Sequence, residues 1–210
     1  MERPELGADD LESLAEAMSP DAAVMMWLGA ALGLRWAEVA GLSVDRLDLL
    51  AGTVTVDRQL TRERLLAPPK SEKPAGALSQ LLHGSWRSWR HFSLGAGLSG
   101  ADGPALVFVN RQGGALDYSD WRRRQWIPGC DDAGLVGLRF HDLRSLAATA
   151  LVAAGVDIKT TRRRLWHSSP HVTLALYARA TAVADRRAAE LVGERLRPGR
   201  RRSGPRDGGR

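Results

Sequence analysis

The sequence predicts a mainly α-helical domain with a small antiparallel β-sheet, an α+β class. Three observations carry that prediction. Apolar residues recur at helical spacing through most of the chain, the period shortens to alternation between residues 44 and 60, and Gly- and Pro-containing turns punctuate the rest. No internal repeat is present, so the 210 residues read as one domain.

Taken in order, residues 9–18 place Leu11, Leu14 and Met18 on one helical face behind Asp9 and Asp10, acids suited to a helix start. The stretch AAVMMWLGAALGL, 22–34, is apolar all round and predicts a buried helix, and WAEVAGL continues the helical pattern. VDRLDLLAGTVTVDRQL, 44–60, alternates about Ala51-Gly52 and predicts a β-hairpin. LLAPPKSEK reads as a short strand running into a loop, because Pro68 and Pro69 cannot occupy a central strand. A helix carrying Trp86 and Trp89 is expected over 77–92, and a loop over 97–104. LVFVN at 106–110 is a short apolar segment before a Gly113-Gly114 turn. Further helices are expected at 118–126, 141–154, 157–165, 171–178 and 181–195. The Pro-, Gly- and Arg-rich end, 197–210, predicts a disordered tail.

Composition narrows the function classes. With 44% hydrophobic and 26% charged residues, and no apolar run of membrane-spanning length, the chain reads as a soluble cytoplasmic protein with no membrane partner. Its one cysteine, Cys130, excludes a disulfide framework and a cysteine-based zinc site. The formal net charge is +6, yet the tail with six Arg and one Asp holds +5 of it, and the first twenty residues carry −5. The body between them is mildly basic. Arginine heavily outnumbers the three lysines, Lys70, Lys73 and Lys159, so arginine abundance by itself says little about a polyanionic partner.

Four places concentrate side chains capable of chemistry. Arg35, in GLRWAEVAGL, stands between two apolar helical runs, where a surface ion pair with Glu38 is the ordinary reading. Lys70 follows Pro-Pro, a setting typical of a solvated charge. His141 and Arg144, in FHDLRSLAATAL, are three apart and share a helix face, usually an exposed one. His167 and Tyr177 lie in LWHSSPHVTLALY, where the tyrosine at helical spacing suits a core or interface as well as a site.

In series these segments mean more than they do singly. The ordered set Arg35, Lys70, His141, Arg144, His167 and Tyr177, with the segments GLRWAEVAGL, PPKSEK, GLRFHDLR and LWHSSPHVTLALY, resembles the catalytic domain of the tyrosine recombinases, or phage integrases. The resemblance runs from about residue 8 to 195 and implies a catalytic domain over 1–196, followed by the basic tail. It implies site-specific DNA recombination on double-stranded DNA by a homotetramer, with residues 181–195 exchanged between neighbours. Arg35 and Arg144 would hold the scissile phosphate, since a guanidinium fork binds two phosphate oxygens and stays charged. His167 would add a donor, and Tyr177 would attack phosphorus to give a 3′-phosphotyrosyl link. Lys70 would protonate the leaving 5′ oxygen, and His141 would accept the tyrosine proton. No metal or other cofactor is implied, and the sequence holds neither a carboxylate cluster at metal spacing nor a phosphate-loop glycine pattern.

The sequence also departs from the family pattern. Trp166 stands where the family usually has Gly, Ser145 where a second histidine is common, and PAGALSQLL where an Arg-rich strand usually follows the lysine, which makes Lys73 a fallback for Lys70. Met1 is only about thirty residues before Arg35, so the N-terminal core-binding domain of the family is expected to be absent. The alternative reading is therefore an inactive, DNA-binding integrase remnant. Basic runs at Arg122–Arg124, between Trp121 and Trp126, and at Arg162–Arg164 are further candidates for phosphate contact. His83, His91 and His171 read as surface or packing residues.

Overall fold

A computed structural model describes residues 6–48, 53–69 and 104–165, together with 185, 189–193 and 195. Its helices come first: α1 (Ala8–Glu16), α2 (Pro20–Leu32) and α3 (Trp36–Ala40). Strand pairs β1 (Leu47–Asp48) with β2 (Thr53–Val54) and β3 (Gln59–Leu60) with β4 (Leu66–Ala67) follow. Then come α4 (Tyr118–Trp121), a π-helical turn (Arg122–Trp126), α5 (Ile127–Asp132), α6 (Phe140–Ala153) and α7 (Ile158–Leu165).

Of the two acids offered, Asp10 caps α1 from within its first turn: the Gly7 N–H donates to its carboxylate at 2.7 Å. Ser19 and Pro20 open α2 as N-cap and first helical residue, and Gly33 closes it in the left-handed conformation at φ 63°. That glycine splits the apolar run into two helices, because α3 restarts at Trp36. As its all-round hydrophobicity requires, α2 is the central helix, buried from Ala22 to Met26 and again from Leu28 to Ala30. Its main partner is α6, and Gly29 permits the approach: a Cβ there would stand 2.8 Å from the Phe140 ring.

The sheet differs from expectation. The strands on either side of 49–52 pair antiparallel, Leu47 with Val54 and Asp48 with Thr53, while the turn proposed at Ala51-Gly52 lies outside the described residues; Gln59 and Leu60 do not extend the return strand. They pair instead with Ala67 and Leu66 in a second antiparallel hairpin. This pairing satisfies the backbone of LLA before Pro68, which has no N–H to donate. The 106–110 segment is not a strand of either sheet; it is tied to the chain after α3 by a bridge between Ser43 and Leu106, with Phe108 buried in the core.

A second correction concerns 118–126. The helix does not stop before Pro128 but continues to Asp132, absorbing the proline through the π turn. Trp121 and Trp126 face the core, while Arg122, Arg123 and Arg124 are exposed. The helices predicted at 141–154 and 157–165 appear as α6 and α7. Those over 77–92 and 171–178 and the loop before Pro104 lie outside the described residues, and of 181–195 the described positions are helical. No helix of the described residues is long and apolar enough to cross a membrane.

Candidate functional site

Arg35 is the N-cap of α3, and the helix grips it from below. Glu38, fully buried in the first turn, accepts the Arg35 backbone N–H at 3.0 Å on one carboxylate oxygen and the guanidinium at 2.8 Å on the other. The Arg35 side chain is nonetheless 32% exposed, so its outer edge faces solvent while its inner edge is neutralised. The ordinary reading of this arginine, a pair with Glu38, and its reading as a site residue therefore describe the same geometry.

Arg144 is not the exposed helix residue its spacing suggests. It is 3% exposed, and its guanidinium donates to the carbonyl oxygens of Gly33 and Leu165. The Gly33 carbonyl stands at the C-terminal end of α2, where unpaired acceptors and the helix dipole both favour a cation, and the Leu165 carbonyl belongs to the last described turn of α7. Burial pulls the Arg144 pKa down to about 10, with Arg35 lowering it further and Glu38 opposing, so the group stays protonated at neutral pH. Two bonds leave part of a five-donor guanidinium for another acceptor.

His141 lies one turn earlier on α6, at the surface. Partial desolvation holds its pKa below the usual histidine value, and Arg144 and then Arg35 reinforce this against the opposing charge of Asp142. Neutral imidazole is therefore its main form near pH 7. Arg35, His141 and Arg144 thus form one electropositive group, with buried Glu38 as its counter-charge.

Lys70, the fallback Lys73, His167 and Tyr177, and with them Trp166, lie outside the described residues. The described chain approaches two of these positions: β4 leads to Pro69, and α7 ends at Leu165, the residue whose carbonyl Arg144 holds. Among the basic runs, Arg123 and Arg124 both pair with Asp120 at 2.7 Å, so two of those three charges are already partnered on their own helix. Sequence reasoning missed the carbonyl partners of Arg144. The signal lay in Gly33, which marks where α2 ends and its acceptors open. Among the described residues no cluster of His, Cys, Asp and Glu could hold a metal ion.

The model of the phage integrase family matches residues 5–183. The chain belongs to the phage integrase family. Its integrase-like sequence is 33% identical over 144 residues to the tyrosine recombinase XerC of Azotobacter vinelandii, a match covering 69% of this chain and 43% of that protein. This integrase-family chain thus spans less than half the length of that relative. Among solved structures, the Tn1549 transposon integrase in complex with circular intermediate DNA shares 18% identity at a TM-score of 0.66, over 84% of this chain and 61% of that one. The XerA recombinase shares 19% at 0.59, over 84% and 61%. The catalytic domain of bacteriophage HP1 integrase, at 16% identity and 0.52, is matched over 89% of its own length by 85% of this chain. Likeness at such identity establishes the integrase catalytic-domain fold.

Proposed function

We propose that this chain is the catalytic domain of a tyrosine-type site-specific recombinase, cleaving and rejoining double-stranded DNA. The observation that carries the reading is the convergence of Arg35, His141 and Arg144 from two helices into one electropositive group, in a chain of this family. A phosphodiester gains negative charge as a nucleophile adds to phosphorus, and preorganised guanidinium groups stabilise that charge. In this reading the Tyr177 oxygen bonds to phosphorus and the P–O bond to the 5′ carbon side breaks. His141, held neutral, receives the tyrosine proton, and Lys70 supplies one to the departing oxygen. His167 adds a donor to the phosphate. Residues 1–196 form the catalytic unit, 197–210 a basic tail, and four copies assemble on DNA in the cytoplasm, exchanging 181–195.

The direct test uses a pool of nicked duplexes with randomised sequence around the nick, in which the fragment beyond the nick diffuses away and traps the intermediate. Wild type is expected to give a protein–DNA adduct that survives denaturing electrophoresis, and Tyr177→Phe to give none. DNA binding by wild type with no adduct, equal to that of Tyr177→Phe, would instead establish the non-catalytic reading.

A further inference from the structure

The helical run from Tyr118 to Asp132 contains one irregularity, the π turn at Arg122–Trp126, closed by the Ile127 N–H on the Arg122 carbonyl five residues back. Pro128 is its local cause, since a proline inside an α-helix lacks the N–H and crowds the carbonyl four residues earlier. The consequence for side chains is larger. In an α-helix, residues five apart point about 140° away from each other. The wider turn brings Trp121 and Trp126 to one side, where their rings stack at 5.8 Å with 26° between planes. Both then meet Phe140 edge-on, at 5.7 Å from Trp121 and 5.3 Å from Trp126. Trp126 is pinned further by its indole N–H on the Leu138 carbonyl at 2.8 Å.

Trp121 has another neighbour, Trp36, at 5.8 Å, which in turn packs edge-on against Tyr118 at 5.0 Å. Trp36 directly follows Arg35, and Phe140 directly precedes His141. The Trp36 indole N–H is buried without an acceptor, a cost that a freely adjusting ring would avoid. Its place is set by packing. The five-residue α3 is too short to hold its own shape, so its first turn is located by Glu38 inside and by Trp36 on this aromatic stack.

We infer that the π turn and Trp121 act as a positioning clamp: Trp121, wedged between Trp36 and Phe140, fixes the first turn of α3 against that of α6 and so sets Arg35 relative to His141 and Arg144. Its meaning for DNA cleavage rests on the proposed function, but the clamp itself is open to test in DNA-free protein. The readout is the titration of the His141 ring by NMR, assigned with His141→Gln, because Arg144, Arg35, Asp142 and Arg139 are the charged groups that act on it. Three variants of the full chain are compared. Trp121→Leu removes the wedge, and Trp121→Phe keeps an aromatic edge. A third, Trp36→Leu, removes the contact on the α3 side and leaves Trp121, Trp126 and Phe140 in place. Leu14→Ala, a buried change on α1, controls for general loss of stability.

The clamp predicts that Trp121→Leu and Trp36→Leu raise the His141 pKa by about half a unit as Arg35 moves away, the scale of a screened like-charge contact. Trp121→Phe should restore most of the wild-type value, and Leu14→Ala should leave it unchanged. In the adduct assay Trp36→Leu should be slower by about 10- to 100-fold, as misplacement of a reacting constellation entails. A folded Trp36→Leu variant whose His141 titrates as in wild type would overturn the inference, whatever the fate of Trp121→Leu. A wild type that forms no adduct, with the pKa changes as described, would overturn the cleavage reading and leave the clamp standing.

Discussion

Glu38 is the residue on which the exposed half of the site depends. It has no contact with solvent, and one carboxylate serves both the backbone and the guanidinium of Arg35. Glu38→Gln keeps the shape but loses the charge, leaving Arg35 and Arg144 to repel without compensation. Because Arg35 is partly solvated, the expected loss is about 1 to 3 kcal/mol, below that of breaking a fully buried pair. Urea unfolding measures it, and a loss within about 0.3 kcal/mol would mean that the pair is electrostatically idle. Position 38 also shows how far single residues could be read. Arg35 with Glu38 was legible because partners three apart on a helix must meet. Arg144 was not, since spacing gives a face but does not say whether that face turns inward.

Among elements, the end of α2 decides most about the site. Gly33 ends the helix, adopts a left-handed conformation, and offers its carbonyl to Arg144. A side chain here meets two penalties: about 1 to 2 kcal/mol for the backbone, and crowding against Leu165, whose Cδ2 would lie 2.4 Å from the new Cβ. Overpacking of this kind typically costs about 1 to 3 kcal/mol. Gly33→Ala should therefore destabilise by about 2 to 5 kcal/mol and loosen α7, which packs on α6 through Leu165, Ala147 and Ala148. Thermal melting with hydrogen exchange over 158–165 checks both effects; unchanged protection there would separate α7 from the α2 terminus. The second hairpin and the π turn show the opposite case. Gln59-Leu60 fits the alternation of the first hairpin equally well, and only the choice of partner strand distinguishes the two pairings. The sequence pattern predicts a helix ending at 126, whereas the run continues through Pro128 to Asp132, with Trp121 and Trp126 packed in the core.

For the whole molecule, charge is distributed in a way that separates binding from chemistry. The described core holds its site cations in a small group, while 197–210 carries six arginines against one acid. In the proposed function these tail charges act on DNA without regard to sequence. Removing 197–210 should then lower the slope of log affinity against log salt by about 0.9 for each tail charge that engages DNA, measured by fluorescence anisotropy on an arbitrary duplex. Adduct formation at saturating protein should be unchanged. An unaltered slope would place all of the electrostatic contact in the body of the chain.

The helical class, the buried character of α2 and the pairing of the first two strands were legible in the sequence. These properties follow from periodicity, capping and residue chemistry, all of which act within a few positions along the chain. The tertiary fold settles that Arg144 is buried on the carbonyls of Gly33 and Leu165, that Gln59 and Leu60 belong to a second hairpin, and that Trp121 joins the turns bearing Arg35 and His141. The first and last depend on contact between segments distant in sequence, the second on which of two nearby strands is paired, and in each desolvation and packing choose among arrangements that local pattern leaves equal.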